Sequence, residues 1–167
     1  GIGWLKEEFD SLGMDFSTRA SRTEEYIMVM RALWSEGISE FSGKTVALAP
    51  CHFNPKPVQK PHPPIIFGGE SDPALRRVAR LGDGWYGYDL TPEALVERLP
   101  GLDAALAASG RSRQDIQLIV GPNRHPVNPE TIAAYAAAGT DQLVVPVFAG
   151  SIEKLASRLD LLMSSAA

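Results

Sequence analysis

Residues 64–88 read PIIFGGESDPALRRVARLGDGWYGY, and this stretch decides the fold. A short apolar run ends at the pair Gly68 and Gly69, and a segment opened by Asp72 and Pro73 then leads to a second apolar run. Proline is tolerated in the first turn of a helix, because the amide it lacks has no intrahelical acceptor there, and an aspartate before it can cap the remaining amides. The stretch therefore predicts a strand, a glycine turn, a helix capped by Asp72 and a second strand.

The order of strand, turn and helix recurs in the rest of the chain. Thr91 with Pro92, and Asn128 with Pro129, each open a helix after a short apolar run, and residues 142–145 lead into a last helix with apolar side chains at three- and four-residue steps. Short apolar strands that alternate with helices indicate a parallel sheet buried on both faces, because parallel neighbours need a crossover that covers them. The predicted fold class is therefore α/β.

The N-terminal part of the chain has a different pattern. Ser21 and Glu24 have the spacing of a capping box, and the apolar residues that follow predict a helix ending near Gly37. The proline-rich residues 41–63 are too long for an ordinary connection between a helix and a strand. They predict an extended insertion with a short hairpin at residues 41–48.

The number of strand-helix units bears on the architecture. A closed (β/α)8 barrel takes about 250 residues, whereas this chain of 167 residues offers four clear units and the tail of a fifth. Residues 1–4, GIGW, lack an initiator methionine and resemble a junction between a strand and a helix. We therefore expect a partial (β/α)8 TIM barrel of parallel strands with its N-terminal strands missing, forming a single domain over residues 1–167 that is a C-terminal fragment of a longer barrel.

The composition excludes several classes of function. The formal net charge of -4 is spread along the chain without a block of lysine and arginine, so we expect neither nucleic acid nor a membrane as partner. No apolar run approaches the roughly 20 residues that cross a bilayer, and we expect a cytoplasmic protein. The single cysteine, Cys51, excludes an internal disulfide, and we expect no metal site.

In a barrel of this type, a ligand lies at the carboxyl ends of the strands. Among the loops predicted there, residues 68–71 carry the strongest signal, because two glycines let backbone amides approach an anion and the following helix adds positive partial charge. The Ser71 hydroxyl is a further donor. The same glycine pair also suits a tight turn without any ligand. The other candidate loops are residues 1–4, 86–89, 121–125 and 147–150.

Two blocks of the sequence resemble the luciferase-like monooxygenase family. One is PKPVQKPHPPI at residues 55–65, followed by GGES at residues 68–71 and LRRVARLGDGW at residues 75–85. The other is the opening GIGWLKEEF at residues 1–9. The resemblance implies a (β/α)8 barrel that holds FMN or the 5-deazaflavin coenzyme F420 at its strand ends. The GGES and GDGW motifs are more similar to the F420-dependent branch of the family. The implied cofactor-binding residues are Gly68, Gly69, Glu70 and Ser71 around the phosphate, and Gly1, Gly3 and Trp4 beside the ring.

The resemblance also implies an activity. It indicates an oxidoreductase that transfers a hydride between F420 and a small organic substrate, assembled as a homodimer. An FMN-dependent monooxygenase of the same family is one alternative, and a non-catalytic half-barrel that serves as a binding module is another. No residue is assigned as the proton donor, because solvation at a helix surface accounts for Glu7, Glu8 and Glu70.

Other polar and aromatic residues have an ordinary structural interpretation. Trp85 and Tyr86, at a strand end, fill a core more often than they stack on a cofactor. Asp83 is expected to fix the turn before its strand. Four basic side chains are interpreted as loop positions, the last two of them in a ligand-facing loop: His52, His62, Arg124 and His125.

Overall fold

The computed structural model describes residues 1–166, and the chain divides into two compact units, Gly1–Pro64 and Ile65–Ala167. The first holds two α-helices, a single 3-10 turn and a two-stranded antiparallel sheet. Its elements are α1 (Lys6–Ser11), the 3-10 turn (Phe16–Thr18), α2 (Arg19–Trp34), β1 (Ser39–Ser42) and β2 (Ala47–Cys51).

Helix α2 begins earlier than the sequence predicts. Asp15 accepts a hydrogen bond from the Ser17 amide at 2.8 Å and starts a 3-10 turn that runs directly into α2. Ser21 therefore lies inside the helix, where its hydroxyl donates to the Thr18 carbonyl at 3.1 Å. The capping box predicted at Ser21 and Glu24 is wrong, because the aspartate upstream already supplies the helix start.

The hairpin predicted at residues 41–48 is confirmed, and it is tied to α2 by one carboxylate. β1 and β2 pair with Phe41 opposite Leu48. Glu25 of α2 accepts hydrogen bonds from the amides of Lys44, Thr45 and Val46 at 2.8–2.9 Å, and from the Thr45 hydroxyl at 2.7 Å. The hairpin loop thus surrounds the Glu25 carboxylate of α2 with hydrogen-bond donors.

The second unit contains the predicted alternation of strands and helices around one parallel sheet. The strand order is β3-β4-β5-β6, and every neighbouring pair is parallel. The α/β fold class is confirmed, with four strands where a closed barrel has eight. The elements are β3 (Ile66–Gly68), α3 (Asp72–Leu81), β4 (Gly84–Tyr88), α4 (Pro92–Ala108), β5 (Gln117–Gly121), α5 (Pro129–Ala137), β6 (Gln142–Leu143) and α6 (Ile152–Ala166), with a 3-10 turn at Arg113–Asp115.

One face of this sheet forms the core with the helices. Paired positions of neighbouring strands share a face, so the register of Phe67 with Trp85 and of Trp85 with Leu118 aligns three large apolar side chains. All are at most 5% exposed. The helices contribute further buried side chains, among them Leu75, Val78, Leu95, Leu99, Leu102, Leu106 and Tyr135.

The three proline-marked helix starts differ in their caps. Thr91 accepts a hydrogen bond from the Ala94 amide at 3.2 Å, and Asn128 accepts one from the Thr131 amide at 2.9 Å, so both predicted caps are confirmed. The cap predicted at Asp72 is wrong. Ser71 is the residue that precedes α3, and Asp72 is already helical, because Ser71 keeps the extended backbone of the turn before it.

Pro100 lies inside α4, and the helix runs without a break over Pro92–Ala108. A proline inside a helix costs about 3 kcal/mol. Burying one leucine contributes roughly 1.5–3 kcal/mol, and α4 buries four of them on both sides of Pro100. Burial of the leucine stripe therefore outweighs the proline.

Glu25→Gln removes the charge at the centre of the hairpin loop. Hydrogen bonds, above all from the Thr45 hydroxyl, hold the pKa of Glu25 at about 2, against an ordinary value of 4.5. A carboxyl group with a lowered pKa stabilises the folded chain above the ordinary value, and that stability is lost as the pH falls through the folded value. In thermal melts we expect the parent chain to lose this contribution between pH 4.5 and about pH 2, and Glu25→Gln to lack it at every pH.

The matched control is Glu40→Gln, which removes an exposed carboxylate from β1 of the same unit. It should keep the acid-dependent loss of the parent chain. Coinciding melting curves for the parent and Glu25→Gln, both at neutral pH and at pH 3, would show that the carboxylate does not hold the hairpin.

Candidate functional site at the carboxyl edge of the sheet

The turn between β3 and α3 has the geometry of an anion site. Gly69 has φ +102°, and a Cβ there would lie 3.1 Å from the Cβ of Ala74, so a side chain is disfavoured on both grounds. Within residues 1–166, the amides of Gly69, Glu70 and Ser71 donate no hydrogen bond to another residue, and the Ser71 hydroxyl makes no capping bond. Three amides and a hydroxyl are thus available where α3 begins, the end of a helix that attracts negative charge.

Two side-chain contacts fix this turn. The Trp85 indole nitrogen donates to the Gly69 carbonyl at 3.0 Å, and Glu70 Oε1 accepts from the Tyr88 amide at 2.9 Å. The carboxylate of Glu70 therefore holds the end of the neighbouring strand β4, and only its main-chain amide remains for a ligand. Trp85 is fully buried, so it belongs to the core and not to a stacking surface.

The loops after β4 and β5 are joined through two residues with unusual backbones. Asp89 has φ +57° and Asn123 has φ +53°, in the left-handed region that residues other than glycine occupy rarely. The Asn123 amide nitrogen donates to the Tyr88 hydroxyl at 2.8 Å, and the Asp89 amide donates to the Gly121 carbonyl at 2.7 Å. The ends of both strands are therefore held in one arrangement.

An ion pair ties the same two loops together. The guanidinium of Arg124 donates to the Asp89 carboxylate through Nε, at 3.0 Å, and through a terminal nitrogen. The carboxylate is 13% exposed and the guanidinium 81% exposed. The hydrogen bond from Arg124 holds the pKa of Asp89 below its ordinary value, and the same contact raises the pKa of Arg124.

His125 lies beside this pair. Its Nε2 is 3.1 Å from the Asp89 carbonyl and 3.6 Å from the nearer carboxylate oxygen of Asp89. The sequence predicts that both loops lie at the ligand-binding edge, and it points to Arg124 and His125 within them. It gives no separate prediction for Asp89 or Asn123. The available signal is residue type, since asparagine and aspartate tolerate left-handed backbone better than other residues with side chains.

The remaining predicted site residues lie in the first unit. Gly3 has φ +82°, and a Cβ there would come 2.6 Å from the Phe9 ring, while Trp4 is 83% exposed. The role of Gly1, Gly3 and Trp4 beside a cofactor ring stays a prediction. In the second unit, Asp83 accepts a hydrogen bond from the Ile65 amide at 2.8 Å, as expected for a residue that fixes the turn before β4.

A separate apolar cleft of about 530 Å³ runs along β6 between α5 and α6. Its lining includes Ile132, Leu143 and Leu159, and β6 pairs only with β5 in the described sheet. Among residues 1–166, no three histidine, cysteine or acidic side chains gather as metal ligands do, and no helix is long and apolar enough to cross a membrane.

Comparison with known proteins identifies the family to which this chain belongs. Residues 1–138 match the family model described as luciferase-like monooxygenase. The chain belongs to the luciferase-like monooxygenase family. An FMNH2-dependent dimethylsulfone monooxygenase of Pseudomonas putida is 29% identical over 66% of this chain and 31% of its own length. A pyrimidine monooxygenase RutA of Allorhizobium ampelinum is 34% identical over 48% of this chain and 23% of its own.

Solved structures share the fold of this luciferase-like chain. The monooxygenase RslO1 of Streptomyces bottropensis aligns with a TM-score of 0.74 at 16% identity, over 98% of this chain and 65% of its own. The F420-dependent tetrahydromethanopterin reductase of Methanopyrus kandleri aligns with a TM-score of 0.68 at 14% identity, over 91% and 69%. The chain thus spans about a quarter to a third of the two curated relatives, and about two thirds of these structures.

Gly69→Ala tests the strain in the anion turn. A side chain at φ +102° should destabilise the chain by about 2 kcal/mol, because left-handed backbone disfavours a Cβ and Ala74 is already close. In a chain of this size that is a loss of roughly 4–8 °C in Tm. Gly68→Ala is the matched control, since its Cβ would lie at an ordinary 3.6 Å from the Tyr86 carbonyl. Equal losses in the two variants would contradict the assignment of strain to Gly69.

Proposed function

We propose that this protein is an oxidoreductase whose carboxyl-edge turn at residues 69–71 binds the phosphate of coenzyme F420. The observation that carries the proposal is the set of free amides of Gly69, Glu70 and Ser71 at the start of α3, together with the Ser71 hydroxyl. A phosphate accepts several hydrogen bonds at once, and it suits the positive end of a helix. Membership of the luciferase-like family supports a redox role for this edge.

The residues of the turn fit a phosphate in three respects. Gly69 leaves open the space that a Cβ would fill, so that the backbone can be approached closely. The hydrogen bond from Trp85 to the Gly69 carbonyl fixes the direction of the peptide before a ligand arrives. Glu70 turns its carboxylate toward the Tyr88 amide, which directs its negative charge to a partner within the chain.

A bound deazaflavin supplies hydride transfer, and a bound reduced flavin supplies oxygen chemistry. The chain supplies binding and orientation. Residues 69–71 hold the phosphate, and the joined loops of Tyr88, Asp89 and Asn123 form a fixed wall at the ends of β4 and β5. Fixed donors need no reorganisation when the ligand binds, which is the advantage of a site built before the ligand arrives.

FMN is the second candidate cofactor, with a monooxygenase activity. The curated relative from Pseudomonas putida is an FMNH2-dependent monooxygenase, and this favours the alternative. The F420-dependent reductase of Methanopyrus kandleri and the GGES turn favour the first candidate. Both cofactors carry a phosphate, so the same turn serves either one.

Binding titrations of the 167-residue chain test the proposal. F420, FMN and their phosphate-free counterparts, 7,8-didemethyl-8-hydroxy-5-deazariboflavin and riboflavin, are titrated by fluorescence. We expect F420 to bind most tightly and each phosphate-bearing compound to bind at least about 10-fold more tightly than its counterpart, since charge-assisted hydrogen bonds each contribute roughly 1.5–3 kcal/mol. FMN binding more tightly than F420 would select the alternative cofactor.

Ser71→Asp is the directed variant, because it sets a negative charge against the phosphate. It should weaken the binding of F420 at least about 10-fold and leave the affinity for the phosphate-free deazaflavin unchanged. Gln114→Glu adds the same charge before β5, at the opposite edge of the sheet, and should change neither. Unaltered F420 affinity in Ser71→Asp, or phosphate-free compounds binding as tightly as the others, would rule out a phosphate site at this turn.

A further inference from the structure

The loop after β5 holds one histidine in a defined orientation. The amide of His125 donates to the Pro122 carbonyl at 3.0 Å and closes a turn in which Asn123 has left-handed backbone. The Asp89 carbonyl lies 3.1 Å from Nε2 of the ring. The backbone and the ring of His125 are thus each fixed by a main-chain carbonyl at the carboxyl edge.

The contact with the Asp89 carbonyl determines which ring nitrogen carries the proton. A carbonyl oxygen only accepts hydrogen bonds, so Nε2 must be the donor. In the neutral ring, Nδ1 is then the unprotonated nitrogen, an acceptor. Within residues 1–166, Nδ1 of His125 has no hydrogen-bond partner, and the side chain is 34% exposed.

Two charged side chains lie next to His125. The Asp89 carboxylate lies 3.6 Å from Nε2, and Arg124 hydrogen-bonds to the same carboxylate. The Tyr88 hydroxyl, bound by Asn123, is the other titratable group of these loops. The carboxylate nearest to the ring is therefore already held in place by Arg124.

We propose that His125 exchanges a proton with the substrate through Nδ1, with Asp89 as the residue that positions its ring. The inference rests on the proposed function, in which a cofactor binds at the carboxyl edge of the same sheet, at the end of β3. The substrate class is a compound whose reacting group gains or loses a proton at oxygen or nitrogen. In one direction the O–H or N–H bond breaks, its electron pair stays on the substrate, and an Nδ1–H bond forms on the ring.

The tautomer of His125 is the first test, and it needs no cofactor. In long-range ¹H–¹⁵N spectra of the neutral rings, His125 should show a protonated Nε2 and a bare Nδ1. His62 is an internal control of opposite sign, because its Nδ1 lies 3.0 Å from the Pro63 carbonyl and should carry the proton. A protonated Nδ1 on His125, or a mixture of both forms, overturns the proposal.

The accessibility of Nδ1 is the second test. Diethyl pyrocarbonate acylates unprotonated imidazole nitrogens, so it should modify His125 at Nδ1, and saturating F420 should slow that modification.

His125→Gln is the matched variant, because its amide nitrogen can still donate to the Asp89 carbonyl while it exchanges no proton. Its Tm should be close to that of the parent chain, whereas His125→Asn, which is too short for this contact, should melt at a lower temperature.

The outcomes separate the two proposals. Failure of both F420 and FMN to bind the parent chain overturns the proposed function and the role of His125 with it. Intact cofactor binding, combined with a reversed tautomer or with modification of His125 that F420 does not slow, overturns the role of His125 alone.

Discussion

The hydrogen bond from the Trp85 indole to the Gly69 carbonyl connects the core of the second unit to its candidate site. Trp85 is fully buried between Phe67 and Leu118 of the neighbouring strands, so its ring cannot move without opening the core. The peptide that it holds is the one at which the chain takes the left-handed backbone of Gly69. The direction of the free amides at residues 69–71 is therefore set by core packing and does not depend on a ligand.

Carboxylates that accept main-chain amides recur at both edges of the sheet. At the amino edge, Asp83 accepts from the Ile65 amide at 2.8 Å and Asp141 from the Leu118 amide at 2.7 Å, each from the strand that precedes it in the sheet order. At the carboxyl edge, Glu70 accepts from the Tyr88 amide. A parallel sheet leaves amides without partners at its strand ends, and these side chains satisfy them. The sequence predicts such a structural role for Asp83, whereas Glu70, which the sequence alone assigns to solvent, satisfies a strand-end amide as well.

The sequence predicts the repeating unit better than it predicts the ends of the elements. Thr91 and Asn128 cap their helices as expected, because in each case the residue before the proline supplies the capping oxygen. Asp72 stands before a proline as well, but the glycine turn shifts the helix start so that Ser71 precedes it. Pro100 does not end α4, because the cost of a proline is local, whereas the burial of the leucine stripe depends on tertiary packing.

The candidate site likewise contains one part that the sequence predicts and one part that it does not. The anion turn follows from residue types in one short stretch, since glycines and a helix start suffice to predict free amides at residues 69–71. The joined loops depend on pairs far apart in the chain, such as Asp89 with Arg124 and Tyr88 with Asn123, and no local pattern reveals them.

A phosphate turn recognises a group that FMN and F420 share, so it cannot discriminate between them. Under the proposed function, discrimination must therefore come from groups that contact the ring or the substrate. The joined loops are thus the part of the candidate site that depends on long-range contacts, whereas the anion turn is the part that local sequence predicts.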